Sequence, residues 1–298
     1  MKLSTSTNLI YTRRDRSEVI SVSAAMSMGA QAGFDTFDLN GCDNTNPGHA
    51  LAQDDWHRWA KAIHRHAQGL GVTFSQSHLP IYNICAPDTV ENWGWKEELS
   101  RRTLEASGIV GVKWVVVHAG TAFSNGLYDR KKTLDQNAEY LSSLASRAVA
   151  AGCEGIAVEN MPQASGGRSL NPMICATTDG LIELVDTLNS PHVGICWDFG
   201  HANLTRESQP DSLRRVGKRL KATHVQDNMG TSDEHTLPFR GNIPWEEIMP
   251  VLAEIGYQGD FTYEIQNYLK DVPPQLYLSA LALARQTGEH LITLAEKQ

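Results

Sequence analysis

Eight short β-type runs, each separated from the next by a segment of helical character, recur from one end of the chain to the other and restrict it to repeated βα units around a parallel sheet. The runs are Leu3 to Thr7, Phe34 to Leu39, Val72 to Ser75, Lys113 to His118, Gly155 to Glu159, Val193 to Asp198, Leu220 to His224 and Asp260 to Glu264. Eight such units predict an α/β fold of the (β/α)8 type, a TIM barrel. Between the strands, Leu134, Ala138, Leu141, Ala145 and Ala148 share a face at helical spacing, as do Leu276, Ala280, Leu283 and Leu294. Both stripes are expected to be core.

The chain has 298 residues, 41% of them hydrophobic, enough for a large buried core. No linker, low-complexity tract or like-charge block divides it, so residues 1–298 are expected to form a single domain. Met1 to Asn8 lacks the apolar stretch of a secretory signal, and no run approaches membrane-spanning length. A soluble, cytoplasmic protein without membrane contact is expected. The five scattered cysteines, Cys42, Cys85, Cys153, Cys175 and Cys196, contain no C-x-x-C pair and fit reduced thiols rather than a disulfide framework. With 26 Lys+Arg against 34 Asp+Glu, the net charge of -8 disfavours a nucleic-acid partner held by phosphate neutralisation. No Walker-type or G-x-G-x-x-G loop follows a strand, so no nucleotide cofactor is expected.

Connection lengths distinguish the two ends of the barrel. Helix-to-strand joints are short and marked by Gly or Pro, at Gly69 to Gly71, Gly152, Ser190-Pro191 and Gly256 to Gly259. Strand-to-helix joints are longer: His78 to Asn92, Ala119 to Lys132, Asn160 to Thr178 and Val225 to Pro244. Barrel enzymes build their active sites on that side.

Four consecutive strands end there in Glu159, Asp198, His224 and Glu264, separated by 39, 26 and 40 residues. One such residue alone could be a helix cap or a surface charge. Parallel barrel strands, however, bring their C-termini to one rim, and three carboxylates gathered without a counter-charge would be costly enough to imply a cation. The set suits one divalent ion, Mn²⁺, Mg²⁺, Co²⁺ or Zn²⁺. His78, His118, His201, Asp233 and His235 fall at the same rim. They are candidates for substrate contacts, for additional metals or for orienting the quartet.

Val158-Glu-Asn160, Cys196-Trp-Asp-Phe-Gly-His201, Thr223-His-Val-Gln-Asp-Asn228, Ser232-Asp-Glu-His235 with Gly241 and Trp245, and Tyr263-Glu264 together resemble the xylose isomerase-like barrels. Within these, the chain is similar to the sugar phosphate isomerase/epimerase group that includes ketose 3-epimerases. The resemblance covers nearly the whole chain. It implies that Glu159, Asp198, His224 and Glu264 bind one divalent cation and that a position like His201 contacts the sugar. Endonuclease IV, a more distant branch, uses a larger set for three zinc ions, and residues resembling all of it occur here, together with His78-Leu-Pro-Ile-Tyr-Asn83. The acidic charge and the Asp-Glu-His order at 233–235 favour the sugar enzyme.

The resulting expectation is a metal-dependent isomerase or epimerase of a small ketose, polyol or sugar phosphate. Glu159 and Glu264 would act as catalytic bases from opposite faces of the reacting carbon. A lyase or dehydratase using the same proton abstraction, and a zinc phosphodiesterase acting on DNA, are the alternatives. Arg168 and Arg240, in Gly-containing loops, are candidates for a substrate phosphate. Trp93, Trp95, Tyr82, Phe123, Tyr128, Trp197 and Phe239 are candidate apolar walls for a sugar. Oligomeric state is left open, a homo-oligomer included.

Overall fold

The computed structural model describes residues 1–9, 20–162 and 173–296. Its main sheet has eight parallel strands: β1 Leu3–Ser6, β2 Thr36–Leu39, β3 Thr73–His78, β4 Trp114–Val117, β5 Gly155–Glu159, β6 Val193–Asp198, β7 Leu220–His224 and β8 Phe261–Tyr263. Each strand from β1 to β6 pairs with the next, and β8 pairs in parallel with β1, in the register Leu3 to Phe261. The seam between β7 and β8 closes at Val225: its amide donates to the Thr262 carbonyl at 2.7 Å, and its carbonyl accepts from the Glu264 amide at 3.0 Å. The chain is therefore a (β/α)8 barrel.

All eight expected strands are present, with edges that differ. The third extends to His78 instead of stopping at Ser75, while the fourth ends at Val117, just before His118. The long connection after β4 contains a small antiparallel hairpin, Phe123–Ser124 against Leu127–Tyr128. No helix among the described residues is long and apolar enough to cross a membrane.

Short side chains leave room inside the barrel. Val116, Ala157, Cys196 and Ala222 form a small interior cluster separate from the large core between the sheet and the helices. Gln76 of β3 spans this interior. Its amide donates to the Thr223 carbonyl at 3.2 Å, and its Oε1 accepts from the Thr262 hydroxyl at 3.2 Å. A polar group sealed from water requires such partners, and these join β3 to β7 and β8 just below the rim.

The helix Arg130–Ala150 buries Thr133, Asn137, Leu141, Leu144, Ala145 and Ala148. The expected stripe is thus correct at its C-terminal half, while Leu134 and Ala138 sit at its margin. The last helix, Tyr277–Glu296, corrects the second stripe. Its buried face is Tyr277, Leu281, Ala284, Gly288, Leu291 and Ala295, whereas Leu276 and Leu283 are 53% and 50% exposed. Gly288 determines this rotation, because a Cβ there would lie 2.4 Å from the Leu3 side chain and 2.8 Å from the Tyr263 hydroxyl. A glycine that permits close approach carries no apolar signal of its own.

Asp227 organises the long connection after β7. Its Oδ1 accepts from the amides of Asn228 (2.9 Å) and Ile243 (3.3 Å), and its Oδ2 accepts from the Phe239 amide (2.8 Å) and the Trp245 indole (3.0 Å). Gly241 lies against this hub: a Cβ would sit 2.1 Å from the Asn228 carbonyl oxygen. Asp227→Ala would strand several buried donors. The expected result is a loss of about 3 kcal/mol or more in denaturant unfolding, with Gly241→Ala destabilising through backbone collision.

Candidate metal and sugar site

The C-terminal rim surrounds a cavity of about 620 Å³ lined by His78, His118, Glu159, His201, His224, Asp233, His235 and Glu264, with Ser6, Asn8, Asp38, Asn40, Asp43 and Cys42 on the β1–β2 side. Its apolar lining comes from Ile81, Met161, Met173 and Tyr263. The expected aromatic walls lie elsewhere. Tyr82 and Trp93 pack edge-on at 5.4 Å, and the Tyr82 hydroxyl donates to Glu97 at 2.7 Å. Trp197 is buried with its indole donating to Gln209, Phe239 packs near His290, and the Trp95 ring lies under the Arg102 guanidinium. Phe123 and Tyr128 belong to the hairpin. Strand-end geometry converges on the rim, but loop aromatics have no equivalent constraint and reach whichever core is nearest.

Glu159, at the end of β5, is the centre of the site. Its Oε1 lies 3.0 Å from His224 Nδ1 and 3.4 Å from His201 Nδ1, and its Oε2 lies 2.9 Å from His118 Nε2 and 3.2 Å from His78 Nε2. Burial alone would raise its pKa, but the surrounding imidazoles, His224 first, hold the carboxyl well below its ordinary value. His224, at the end of β7, is pushed down by burial and more strongly up by Cys196, Glu264 and Glu159. Its Nδ1 also lies 3.5 Å from Glu264 Oε2.

Asp198 combines two roles in one carboxylate. Its Oδ1 accepts from the His201 amide at 2.6 Å and caps the short helix Phe199–Thr205, which follows β6 directly. Its Oδ2 is buried and has no hydrogen-bond partner. Burial raises the Asp198 pKa to about 6, with the charge on His201 opposing and those on Glu159, Glu264 and Asp233 adding to the rise. An orphaned, buried carboxylate oxygen facing other carboxylates fits a cation, and so does the chemistry of the donors.

The potential ligand atoms fall into three groups, each with its atoms within 4.8 Å of one another: Glu159, Asp198, His224 and Glu264; His78, His118 and Glu159; and His201, Asp233 and His235. The four strand-end residues are therefore brought together, and the five additional rim residues divide between the other two groups. Second contacts set the rings. His78 Nδ1 lies 2.7 Å from the Leu79 carbonyl, His201 Nδ1 3.0 Å from the Asn160 carbonyl and His235 Nδ1 3.1 Å from the Glu264 carbonyl. Donation from these nitrogens leaves each Nε2 directed at a carboxylate: that of His78 at Glu159, and those of His201 and His235 at Asp233 Oδ2, at 3.3 and 2.9 Å. Burial would lower His235, but Glu264 and Asp233 raise it to about 9. His118 is lowered, chiefly by burial.

The two arginine candidates differ in outcome. Arg240 is exposed with its guanidinium 5.0 Å from the Tyr268 ring, outside the cavity lining, and Arg168 lies outside the described residues. The five cysteines are free thiols; Cys42 faces the cavity, and burial pushes it up to about 12.

An eight-stranded parallel barrel with a carboxylate and imidazole cluster at the C-terminal rim belongs to the class of α/β barrels that carry their reactive groups at strand ends. The chain is a member of the xylose isomerase-like TIM barrel family, whose model matches residues 28–287. An uncharacterized protein of Methanocaldococcus jannaschii is 32% identical over 175 residues, 57% of this chain and 56% of that protein. A D-psicose 3-epimerase of Ruminiclostridium cellulolyticum is 27% identical over 204 residues, 66% of this chain and 65% of the relative. The matches thus span less than two thirds of these relatives' lengths. A crystal structure of a D-tagatose 3-epimerase-like protein superposes with a TM-score of 0.75 at 22% identity, covering 100% of this chain and 99% of the other, a likeness of fold.

Proposed function

We propose that the protein is a divalent-metal-dependent isomerase or epimerase of a small ketose, polyol or sugar phosphate. The reading is carried by the convergence of Glu159, Asp198, His224 and Glu264, with one buried Asp198 oxygen left unpartnered. The D-psicose 3-epimerase relative supports the sugar class. When bound, a divalent ion supplies positive charge that polarises a substrate carbonyl and its neighbouring hydroxyl, making the adjacent C–H more acidic.

The side chains divide the remaining work. Asp198 and His224 would hold the ion together with the two glutamates. Glu264, whose side chain is 22% exposed to the cavity, exchanges a proton with the substrate carbon from one side. Glu159 does so from the other, with its outer oxygen beside His78 and His118. Removal on one face and return on the other inverts the carbon, whereas one base serving adjacent carbons interconverts aldose and ketose. His201, His235 and Asp233 bind substrate hydroxyls in this reading. The test is incubation of metal-loaded protein with a panel of ketoses in D₂O. Deuterium is expected at the carbon beside the carbonyl.

One observation favours a second reading. Two of the three ligand groups share Glu159, the third is His201, Asp233 and His235, and together they could hold more than one ion, as a phosphodiesterase would require. The named epimerase relative favours the first. Metal analysis after desalting distinguishes them: about one tightly held ion per chain is expected for the sugar enzyme. Three ions together with cleavage of abasic DNA would transfer the assignment.

A further inference from the structure

Asp38 is a feature of the cavity that the proposed chemistry does not use. It projects from β2 into the cavity, 3% exposed, and its Oδ2 has no hydrogen-bond partner. A carboxylate oxygen sealed from water without a donor calls for an explanation. The nearest ring nitrogen it faces is His224 Nε2, at 3.9 Å. The other nitrogen of that ring, Nδ1, faces Glu159 Oε1 at 3.0 Å and Glu264 Oε2 at 3.5 Å, in the ligand quartet.

We infer that Asp38 is a positioning residue for His224: its carboxylate receives the Nε2–H, fixing the ring in the tautomer whose bare Nδ1 is presented to the cation. This rests on the quartet being a cation site. A neutral imidazole carries its proton on one nitrogen, and the group bonded to that nitrogen decides which nitrogen is free to ligate. Every other ligand-type histidine whose Nδ1 touches a backbone carbonyl presents Nε2, namely His78, His201 and His235. His224 is turned the opposite way, with Nδ1 inward, and needs its anchor on the Nε2 side. Cys196 also lies beside this ring. It is a buried thiol, a much weaker acceptor than a carboxylate. A ring pivot of about 1 Å would bring the Asp38 contact to hydrogen-bond length.

The test uses the full chain loaded with Zn²⁺ and labelled with ¹⁵N-histidine. Wild type is expected to show a slowly exchanging Nε2–H resonance for His224, assigned by its loss in His224→Gln. In Asp38→Ala that resonance should disappear, and Zn²⁺ affinity, measured by competition with a chelating dye, should fall on the order of 10- to 100-fold. Asp38→Asn keeps a carbonyl acceptor of the same shape and should retain the resonance with a smaller loss of affinity, which also guards against misfolding as the cause. Unchanged affinity and an unchanged resonance in Asp38→Ala, with only KM altered, would make Asp38 a substrate contact and overturn the inference. Failure of wild type to take up Zn²⁺ would overturn the cation site itself and this inference with it.

Discussion

Glu264→Gln and Glu159→Gln are each expected to slow deuterium incorporation beside the ketose carbonyl by about 10²- to 10⁴-fold, the range associated with a positioned acid or base. The amide preserves size and one acceptor oxygen but cannot take a proton. The two variants should differ in a way set by their surroundings. Glu264 reaches the cavity, so its replacement should leave the fold intact while exchange is lost. Glu159 is enclosed by His78, His118, His201 and His224, and its replacement also removes the charge those rings face, so a lower melting temperature should accompany the loss. Exchange that persists in both variants would remove the two-glutamate mechanism, leaving the barrel and the ligand cluster as they are.

Asp198→Asn should raise the melting temperature of metal-free protein near neutral pH while abolishing the rise that a divalent ion gives wild type. The sign follows from the carboxyl. In the folded chain it keeps its proton up to about pH 6, against an ordinary value of 3.8, so folding takes up a proton in that window and metal-free stability falls as pH rises through it. Asparagine has no charge to bury. Its side-chain oxygen can still accept from the His201 amide, so the helix cap survives. Wild type with ion at a hundred times its dissociation constant gains about 2.7 kcal/mol, a shift of roughly 5 °C for a chain of this size. Scanning calorimetry with and without Mn²⁺ reads both effects. A metal-free variant less stable than wild type that still responds to Mn²⁺ would count against Asp198 as a ligand.

The fold was legible because alternation of strand and helix leaves few alternatives, and the convergence of Glu159, Asp198, His224 and Glu264 because parallel strands in a closed sheet carry distant residues to one level. His78 and His118 were placed at that level by the same logic, although β3 runs three residues beyond its expected end. Asp38 was not singled out. It lies between Phe37 and Leu39 in β2, where strand alternation reads it as an ordinary outward-facing acid, and only its burial without a hydrogen bond at Oδ2 distinguishes it. Asp227 looked like one more polar residue in a long loop, since the four donors it collects come from positions up to 18 residues away. The last helix misled for a related reason: the face turned inward carries Gly288, while leucines at 276 and 283 face outward.

Gln76 makes the strands beneath the strand-end quartet a single mechanical unit. By clasping β7 and β8 from the opposite side of the barrel, it holds the platforms of His224 and Glu264 in fixed relation to that of His78. Loops above such a foundation can be exchanged, lengthened or reshaped without disturbing the spacing on which the chemistry depends. A scaffold of this kind is suited to acquiring new ligands by remodelling its upper storey alone.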